Sequence, residues 1–140
     1  MKLLKKIKDF PKKKILTKEK YNELDNNHRD EYGWLNLSNY DCSEIKEFGN
    51  CIRFGDGIKF GDDIKFGNRI RFGYDIMFGN NITIEGKYKL KSYLKFCGFG
   101  SRSNTDTYIY NCEEGIFVRC DCFFDSMEEF IERVEDEVLY

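Results

Sequence analysis

Residues 51–86 read CIRFGD GIKFGD DIKFGN RIRFGY DIMFGN NITIEG, which is one six-residue pattern, or hexad, written repeatedly. Phe recurs at positions 48, 54, 60, 66, 72 and 78, and Gly follows it every time. Ile recurs with the same period, at positions 52, 58, 64, 70, 76 and 82. Self-similarity at a fixed period is the signature of a repeat architecture, in which each unit buries its apolar side against its neighbours.

Each hexad predicts a short strand followed by a corner. Ile and Phe two positions apart point to the same side of a strand, and the residue between them points outward. The outward positions are Arg53, Lys59, Lys65, Arg71, Met77 and Thr83. Gly followed by Asp or Asn tolerates the positive φ of a sharp corner, so we expect positive φ at these dipeptides, of which Gly55–Asp56 is one. A corner of one sense in every hexad predicts a coil whose axis is filled by Ile and Phe.

The hexad resembles the hexapeptide repeat of left-handed β-helix proteins, whose unit reads small or branched, x, aliphatic, Gly, Asp or Asn, x. The resemblance implies three hexads per coil, and covers residues 46–84, or 40–84 if Tyr40 and Cys42 form a degenerate first unit. This is about two and a half coils. Stacking would put Arg53 over Arg71 on one face, Lys59 beside Met77 on the next, and Glu47, Lys65 and Thr83 on the third. The chain departs from the family in having two large inward residues per unit, and its period does not define the handedness of the coil.

Composition favours one soluble, mainly β domain. The 140 residues include 13 Phe and 12 Gly but one Pro, and they contain no Ala and no Gln, which argues against a helical bundle. With 41% hydrophobic and 34% charged residues, the chain is neither a disordered tail nor a fibre. No apolar run has the length of a membrane span, so the expectation is a protein with no membrane partner.

Charge is unevenly distributed although the formal net charge is only -2. Residues 1–20 carry nine Lys against Asp9 and Glu19, and residues 125–140 carry seven acids against Arg133. The Lys-rich N-terminal arm can meet nucleic-acid phosphates, can lie against the acidic C-terminal helix, or can simply be solvated. The first residues lack the apolar run of a secretion signal, so the six Cys are interpreted as free thiols in a reducing cytoplasm.

Both ends of the repeat have sequences that can cover it. Residues 1–39 are interpreted as the basic arm and a capping segment, with Thr17 capping a short helix, and residues 40–86 as the repeat. Residues 87–140 predict a β-β-β-α unit with strands at 87–96, 108–112 and 116–120. Ser126 and Glu129 form a capping-box pattern that opens the final helix. The C-terminal unit is expected to share one core with the coil.

The best candidate ligand loop follows the first of these strands. Two Gly allow close backbone approach, hydroxyls and amides can donate hydrogen bonds, and an Arg can grip a phosphate or carboxylate. The predicted ligand-binding residues are Gly98, Gly100, Ser101, Arg102 and Ser103, with Tyr108 and Tyr110 able to stack on a base. The alternatives are an ordinary loop between strands and ordinary aromatic packing.

A second candidate site is the outward cationic set of the repeat, Arg53, Lys59, Lys65 and Arg71, as a partner-binding surface. Its alternative role is to keep a β face soluble. Cys97, Cys112, Cys120 and Cys122 are close in sequence but lack the paired spacing of a zinc site, so no metal and no cofactor is predicted. No catalytic constellation is recognised, and the one His, His28, lies outside the repeat.

The segments GFGSRSNTDTYIY and FVRCDCFFDSMEEF, after the hexads, resemble small hexapeptide-repeat proteins of bacteriophages and prophages. The resemblance implies a non-enzymatic binding protein that contacts a host protein in the host cytoplasm, and its most concrete form is an anti-CRISPR-like inhibitor of a host defence system. One alternative is a sponge for a nucleotide or another anion. Another is a vestigial hexapeptide acyltransferase. A homo-oligomer remains open, because an exposed coil end or face can pair.

Overall fold

Two helices flank a mainly β body, as the sequence predicts. The computed structural model describes residues 13–96, 106–120 and 123–139, with side chains described to residue 135 of the last helix. The helices are α1 (Lys18–Asn27) and α2 (Met127–Leu139). The strands are β1 (Lys14–Ile15), β2 (Leu35–Asn36), β3 (Tyr40–Asp41), β4 (Glu47–Phe48), β5 (Ile52–Arg53), β6 (Lys65–Phe66), β7 (Ile70–Arg71), β8 (Ile82–Ile84), β9 (Tyr88–Phe96), β10 (Thr107–Cys112), β11 (Gly115–Cys120) and β12 (Phe123–Ser126).

The strands of the repeat pair in parallel with strands three hexads away. Arg53 lies opposite Arg71, Lys59 opposite Met77, and Lys65 between Glu47 and Thr83. All three sets of neighbours expected from a spacing of three hexads are therefore observed. Pairing begins upstream of residue 40, because Leu35 on β2 lies opposite Ile52 on β5. The described strands form a curled seven-stranded sheet, β12-β11-β10-β9-β8-β6-β4, a three-stranded sheet, β2-β5-β7, and the pair β1-β3.

Phenylalanine rings fill the interior of the repeat. Rings three hexads apart stack in parallel, offset planes, such as Phe48 on Phe66 at 5.3 Å between centroids and 5° between planes. Rings one hexad apart meet edge to face, such as Phe48 and Phe54 at 5.0 Å and 85°. Both arrangements suit the quadrupole of an aromatic ring. The Ile side chains at positions 52, 58, 64, 70 and 82 are buried in the same core, so both large inward residues are accommodated in these units.

The corners work differently from the sequence expectation. The residue with positive φ is the third after each Phe, and not the Gly that follows Phe or the next Asp or Asn. These residues are Cys51, Gly57, Asp63, Arg69, Asp75 and Asn81. The expectation of positive φ at the Gly–Asp and Gly–Asn dipeptides is therefore wrong.

Close approach to a segment about three hexads earlier requires Gly after Phe at positions 55, 67, 73 and 79, whereas a Cβ on Gly49 or Gly61 would meet no atom closer than 3.3 Å. A Cβ on Gly67 would lie 2.7 Å from the carbonyl carbon of Gly49, closer than side-chain atoms pack. The Asp or Asn that follows bridges the same gap, because its side chain accepts a hydrogen bond from a backbone N–H three hexads further along. Asp62 Oδ1 accepts from the N–H of Asn80 at 2.6 Å, and Asn50 Oδ1 from that of Asn68 at 2.7 Å.

Helix α1 covers the N-terminal end of the repeat. Thr17 caps it as predicted, since its Oγ1 accepts a hydrogen bond from the N–H of Lys20 at 3.2 Å. The ring of Tyr21 lies edge-on to Phe48 at 5.5 Å, and its hydroxyl accepts a hydrogen bond from the N–H of Gly49 at 2.8 Å. This contact closes the end of the Phe column.

The C-terminal strands cover the other end. Tyr93 lies edge-on to Phe78 at 5.5 Å, and the Tyr108 hydroxyl donates a hydrogen bond to the carbonyl of Phe72 at 3.0 Å. The buried residues of the repeat and of these strands form one cluster. Four strands, β9–β12, replace the three predicted, because Phe123–Ser126 forms a further strand paired with β11.

The final helix begins where the capping pattern predicts. The N–H of Glu129 donates a hydrogen bond to Ser126 Oγ at 3.2 Å. In a full capping box, the Glu129 side chain would accept a hydrogen bond from the N–H of Ser126. Here that N–H donates to Asp125 Oδ1 instead, at 2.7 Å.

Candidate functional site

A row of cationic side chains crosses the outer face of the three-stranded sheet. Asn36 lies opposite Arg53, and Arg53 opposite Arg71, on adjacent parallel strands about 4.8 Å apart. Arg53 is exposed and Arg71 is half-buried. Within the part of the chain that the structure describes, no hydrogen bond or ion pair engages the side chain of either arginine. Two like charges therefore lie side by side without a carboxylate between them.

Trp34, the only tryptophan of the chain, holds part of this row in place. The Arg71 guanidinium lies 4.6 Å from the centroid of the Trp34 ring, and the Arg69 guanidinium lies 5.3 Å from it. Arg69 reaches this position from a corner of the repeat, where its φ is 56°. Cation–π contacts of this kind restrict the arginines without neutralising their charge. We call Trp34, Arg53, Arg69 and Arg71 the arginine face.

A buried ion pair lies behind the arginine face. Arg119 on β11 donates hydrogen bonds from Nε and Nη2 to the carboxylate of Glu85, at 2.6 and 2.9 Å. The N–H of Arg69 donates to the same carboxylate at 3.3 Å. Burial raises the pKa of Glu85, and the charge of Arg119 opposes that rise. The Arg119 guanidinium also lies 4.9 Å from the Phe124 ring, which closes its inner side.

A small cleft opens between the arginine face and the C-terminal strands. Its interior has room for about one water molecule, and its lining residues are Trp34, Arg69, Ile70, Arg71, Asp106, Tyr108 and Arg119. Three guanidinium groups thus meet one carboxylate in the lining. Asp106 has a cation of its own, because Lys95 Nζ lies 3.5 Å from its Oδ2. Glu85 neutralises Arg119, so the Arg71 guanidinium is the charge that an anion would meet at this cleft.

The predicted ligand residues are divided by the structure. Gly98, Gly100, Ser101, Arg102 and Ser103 lie outside the described residues. Tyr108 and Tyr110 are each 2% exposed, and their rings stack on one another at 6.0 Å. Burial raises the pKa of both phenols. Packing, the alternative weighed from the sequence, accounts for this position, while Tyr108 also lines the cleft.

The predicted partner surface is also divided. Lys59 and Lys65 lie on ladders separate from that of Arg53 and Arg71, so the four cations do not share one face. Only Arg53 and Arg71 are brought together. Trp34, Arg69 and Arg119 were not identified from sequence. A count of three hexads predicts the Arg53–Arg71 pair. The position of Trp34 was missed because Leu35 pairs with Ile52, which is 17 residues away, one fewer than three hexads. The position of Arg119 was missed because it depends on tertiary packing.

The cysteines of the described residues are free thiols. Cys42 and Cys112 are buried, and burial raises their pKa to about 12 and about 11 respectively. Cys97 and Cys122 lie outside the described residues. Across residues 13–96, 106–120 and 123–139, no three His, Cys, Asp or Glu side chains come together as metal ligands would.

Comparison with known proteins adds no relative: no protein-family model, no curated protein and no solved structure matches this chain. In the described part of the chain, neither helix combines the length and apolar character that crossing a membrane would require. The chain is a mainly β protein whose outer face carries two adjacent arginines beside its only tryptophan.

Proposed function

We propose that residues 35–86 form a hexapeptide β-helix that serves as a rigid scaffold. Two periodicities support this. Strand partners recur every third hexad, as in the pairing of Ile52 with Ile70, and residues with positive φ recur once per hexad, from Cys51 to Asn81. A scaffold of stacked turns gives the outward residues fixed positions, which suits recognition.

The protein acts as a non-enzymatic binding protein by protein–protein contact. The observation that carries this proposal is the arginine face, where Arg53 and Arg71 lie adjacent and outside any ion pair with described residues, beside Trp34. Arg and Trp are among the side chains most enriched at the energetic centres of protein interfaces. An acidic patch on a partner would neutralise both charges at once.

The partner is a host protein, and the function is inhibition of a host defence system in the host cytoplasm, in the manner of an anti-CRISPR protein. Support for this part comes from the resemblance of residues 98–110 and 117–130 to small phage and prophage hexapeptide-repeat proteins. Inhibition by contact needs a stable surface and no enclosed substrate pocket. The arginine face provides such a surface.

A plaque assay tests this function. Cells carrying one defence system at a time, including CRISPR systems, are challenged with a phage that the system restricts, with and without this protein. The protein should restore plaque formation against at least one system. The variant Arg53→Glu/Arg71→Glu should lose the effect, while the charge-matched Lys59→Glu/Lys65→Glu variant, altered on the other ladders, should keep it. Failure against every system, or equal loss in both variants, would contradict the proposal.

A second candidate function, sequestration of a nucleotide or another anion, is favoured by one observation. Tyr108, which the sequence places among the ligand residues, lines the cleft together with Arg69 and Arg119. The acyltransferase alternative has no supporting contact among the described residues, and we do not propose it.

A further inference from the structure

We infer that the arginine face, at the mouth of the cleft beside Trp34, is a binding site for a phosphate dianion, held by Arg53 and Arg71. The inference rests on the second candidate function and names the ligand chemistry of its site. It differs from the sequence-based site, which was centred on residues 98–103.

The charge of the arginine row points to a doubly charged ligand. Arg53 and Arg71 repel one another across neighbouring strands about 4.8 Å apart, and neither has an ion pair with a described residue. A single carboxylate neutralises the charge of one guanidinium and leaves the charge of the other. A phosphate monoester or inorganic phosphate carries up to two negative charges near neutral pH and offers three acceptor oxygens, so it can satisfy both forks together.

The fixed positions of the arginines favour binding. Arg71 and Arg69 are already held against the Trp34 ring, at 4.6 and 5.3 Å, so little side-chain freedom is lost when an oxyanion arrives. Arg119 is tied to Glu85 by two hydrogen bonds, so this pair adds a rigid wall and little net charge. The positive charge that a ligand would neutralise therefore comes chiefly from Arg53 and Arg71.

The size of the cleft limits what enters it. Its interior has room for about one water molecule, and the rest of its volume is open mouth. A phosphate group therefore binds at the mouth, on the arginine face, with the remainder of a larger molecule in solvent. Asp106 in the lining disfavours a second anionic group beside the first. We therefore assign the arginine face to one terminal phosphate group, from inorganic phosphate or from a nucleoside monophosphate.

Trp34 fluorescence tests the site directly, because the chain has no other tryptophan. Inorganic phosphate and AMP are titrated separately at constant ionic strength, with sodium chloride and sodium acetate as controls. Phosphate should give a saturable change in Trp34 emission with Kd on the order of 1 mM or tighter. Arg71→Lys and Arg53→Gln should each weaken binding by about tenfold, because lysine and glutamine lack the guanidinium fork. Lys65→Gln, on another ladder, should bind as the unaltered protein does, and thermal melting checks that every variant is folded.

The outcomes separate the site from the function. No saturable response to phosphate, or an equal response to chloride or acetate, overturns the phosphate site. Nucleotide binding that is unaffected by Arg53→Gln and Arg71→Lys also overturns it, while leaving nucleotide sequestration standing at another site. Binding of inorganic phosphate but not of AMP supports the site and removes nucleotide sequestration.

Discussion

Arg119 and Glu85 join the two halves of the molecule through paired hydrogen bonds in its interior. Glu85 follows the last hexad strand with φ of 50°, and Arg119 lies on β11, a strand of the antiparallel half of the curled sheet that is paired on both sides. Both side chains are at most 9% exposed. The pair therefore fixes the C-terminal strands against the end of the repeat, and with them the wall of the cleft.

Removing one partner of this pair should be strongly destabilising. Arg119→Met leaves the Glu85 carboxylate buried without its cation, and we expect a loss of about 3–5 kcal/mol in the free energy of unfolding. The double variant Glu85→Gln/Arg119→Met should recover most of that loss, since neither charge is then buried. Urea denaturation measures both. A double variant as unstable as Arg119→Met would mean that packing, and not the charge, is what the pair supplies.

The Arg119→Met variant should also acquire a pH dependence. Burial already raises the pKa of Glu85, and loss of Arg119 removes the charge that opposes this rise. An acid whose pKa is higher in the folded state binds more protons there, so stability is lost as pH rises from the ordinary glutamate value towards the folded value. The stability deficit of Arg119→Met should therefore be smaller at pH 5 than at pH 8. A deficit that is the same at both pH values would show that Glu85 does not titrate in this range.

Substitution of two glycines of the repeat should affect stability to very different extents. Gly67→Ala places a Cβ 2.7 Å from the backbone of Gly49, so separation of the strands should cost more than about 2 kcal/mol of stability. Gly57 has φ of 67° and open space around its Cβ position, and Asn81 already adopts a similar φ at the equivalent position. Gly57→Asn should change stability by less than about 1 kcal/mol. Thermal or urea unfolding measures the stability of both variants. A larger loss of stability in Gly57→Asn than in Gly67→Ala would contradict the close-approach explanation.

Thiol reactivity should follow burial. With a pKa of about 12, about one Cys42 side chain in 10⁴ is a thiolate at pH 8. Cys51 is only half-buried and should be alkylated much faster by iodoacetamide. Mass spectrometry of peptides from briefly labelled native protein measures the difference, and labelling in denaturant provides the control. Equal labelling of Cys42 and Cys51 in the native protein would contradict the buried position of Cys42.

The repeat was largely predictable because its physics is periodic. The hexad spacing of Phe and Ile fixes which side chains face inward, and the register of three hexads then places Arg53 beside Arg71. The role of Gly67 was not predictable, because its close approach to Gly49 is a property of the folded chain and not of the dipeptide. Trp34 and Arg119 join the site through a shortened register and a packing contact, and no local pattern marks either.

Strand β12 was missed for a related reason. Phe123–Ser126 is short, and it is stabilised by pairing with β11, so its identity depends on the neighbouring hairpin and not on its own alternation. By contrast, the start of α2 at Met127 was marked locally by Ser126.

The most direct test of the arginine face as a recognition surface is the indole Nε1–H signal of Trp34 in a ¹H–¹⁵N spectrum. The chain contributes a single such signal, so its assignment needs no other information. Addition of inorganic phosphate should shift it in the unaltered protein and equally in Lys59→Glu/Lys65→Glu. The shift should disappear in Arg53→Glu/Arg71→Glu, whose change in net charge is the same. A shift that persists in the arginine variant, or that is lost equally in both variants, would contradict the account.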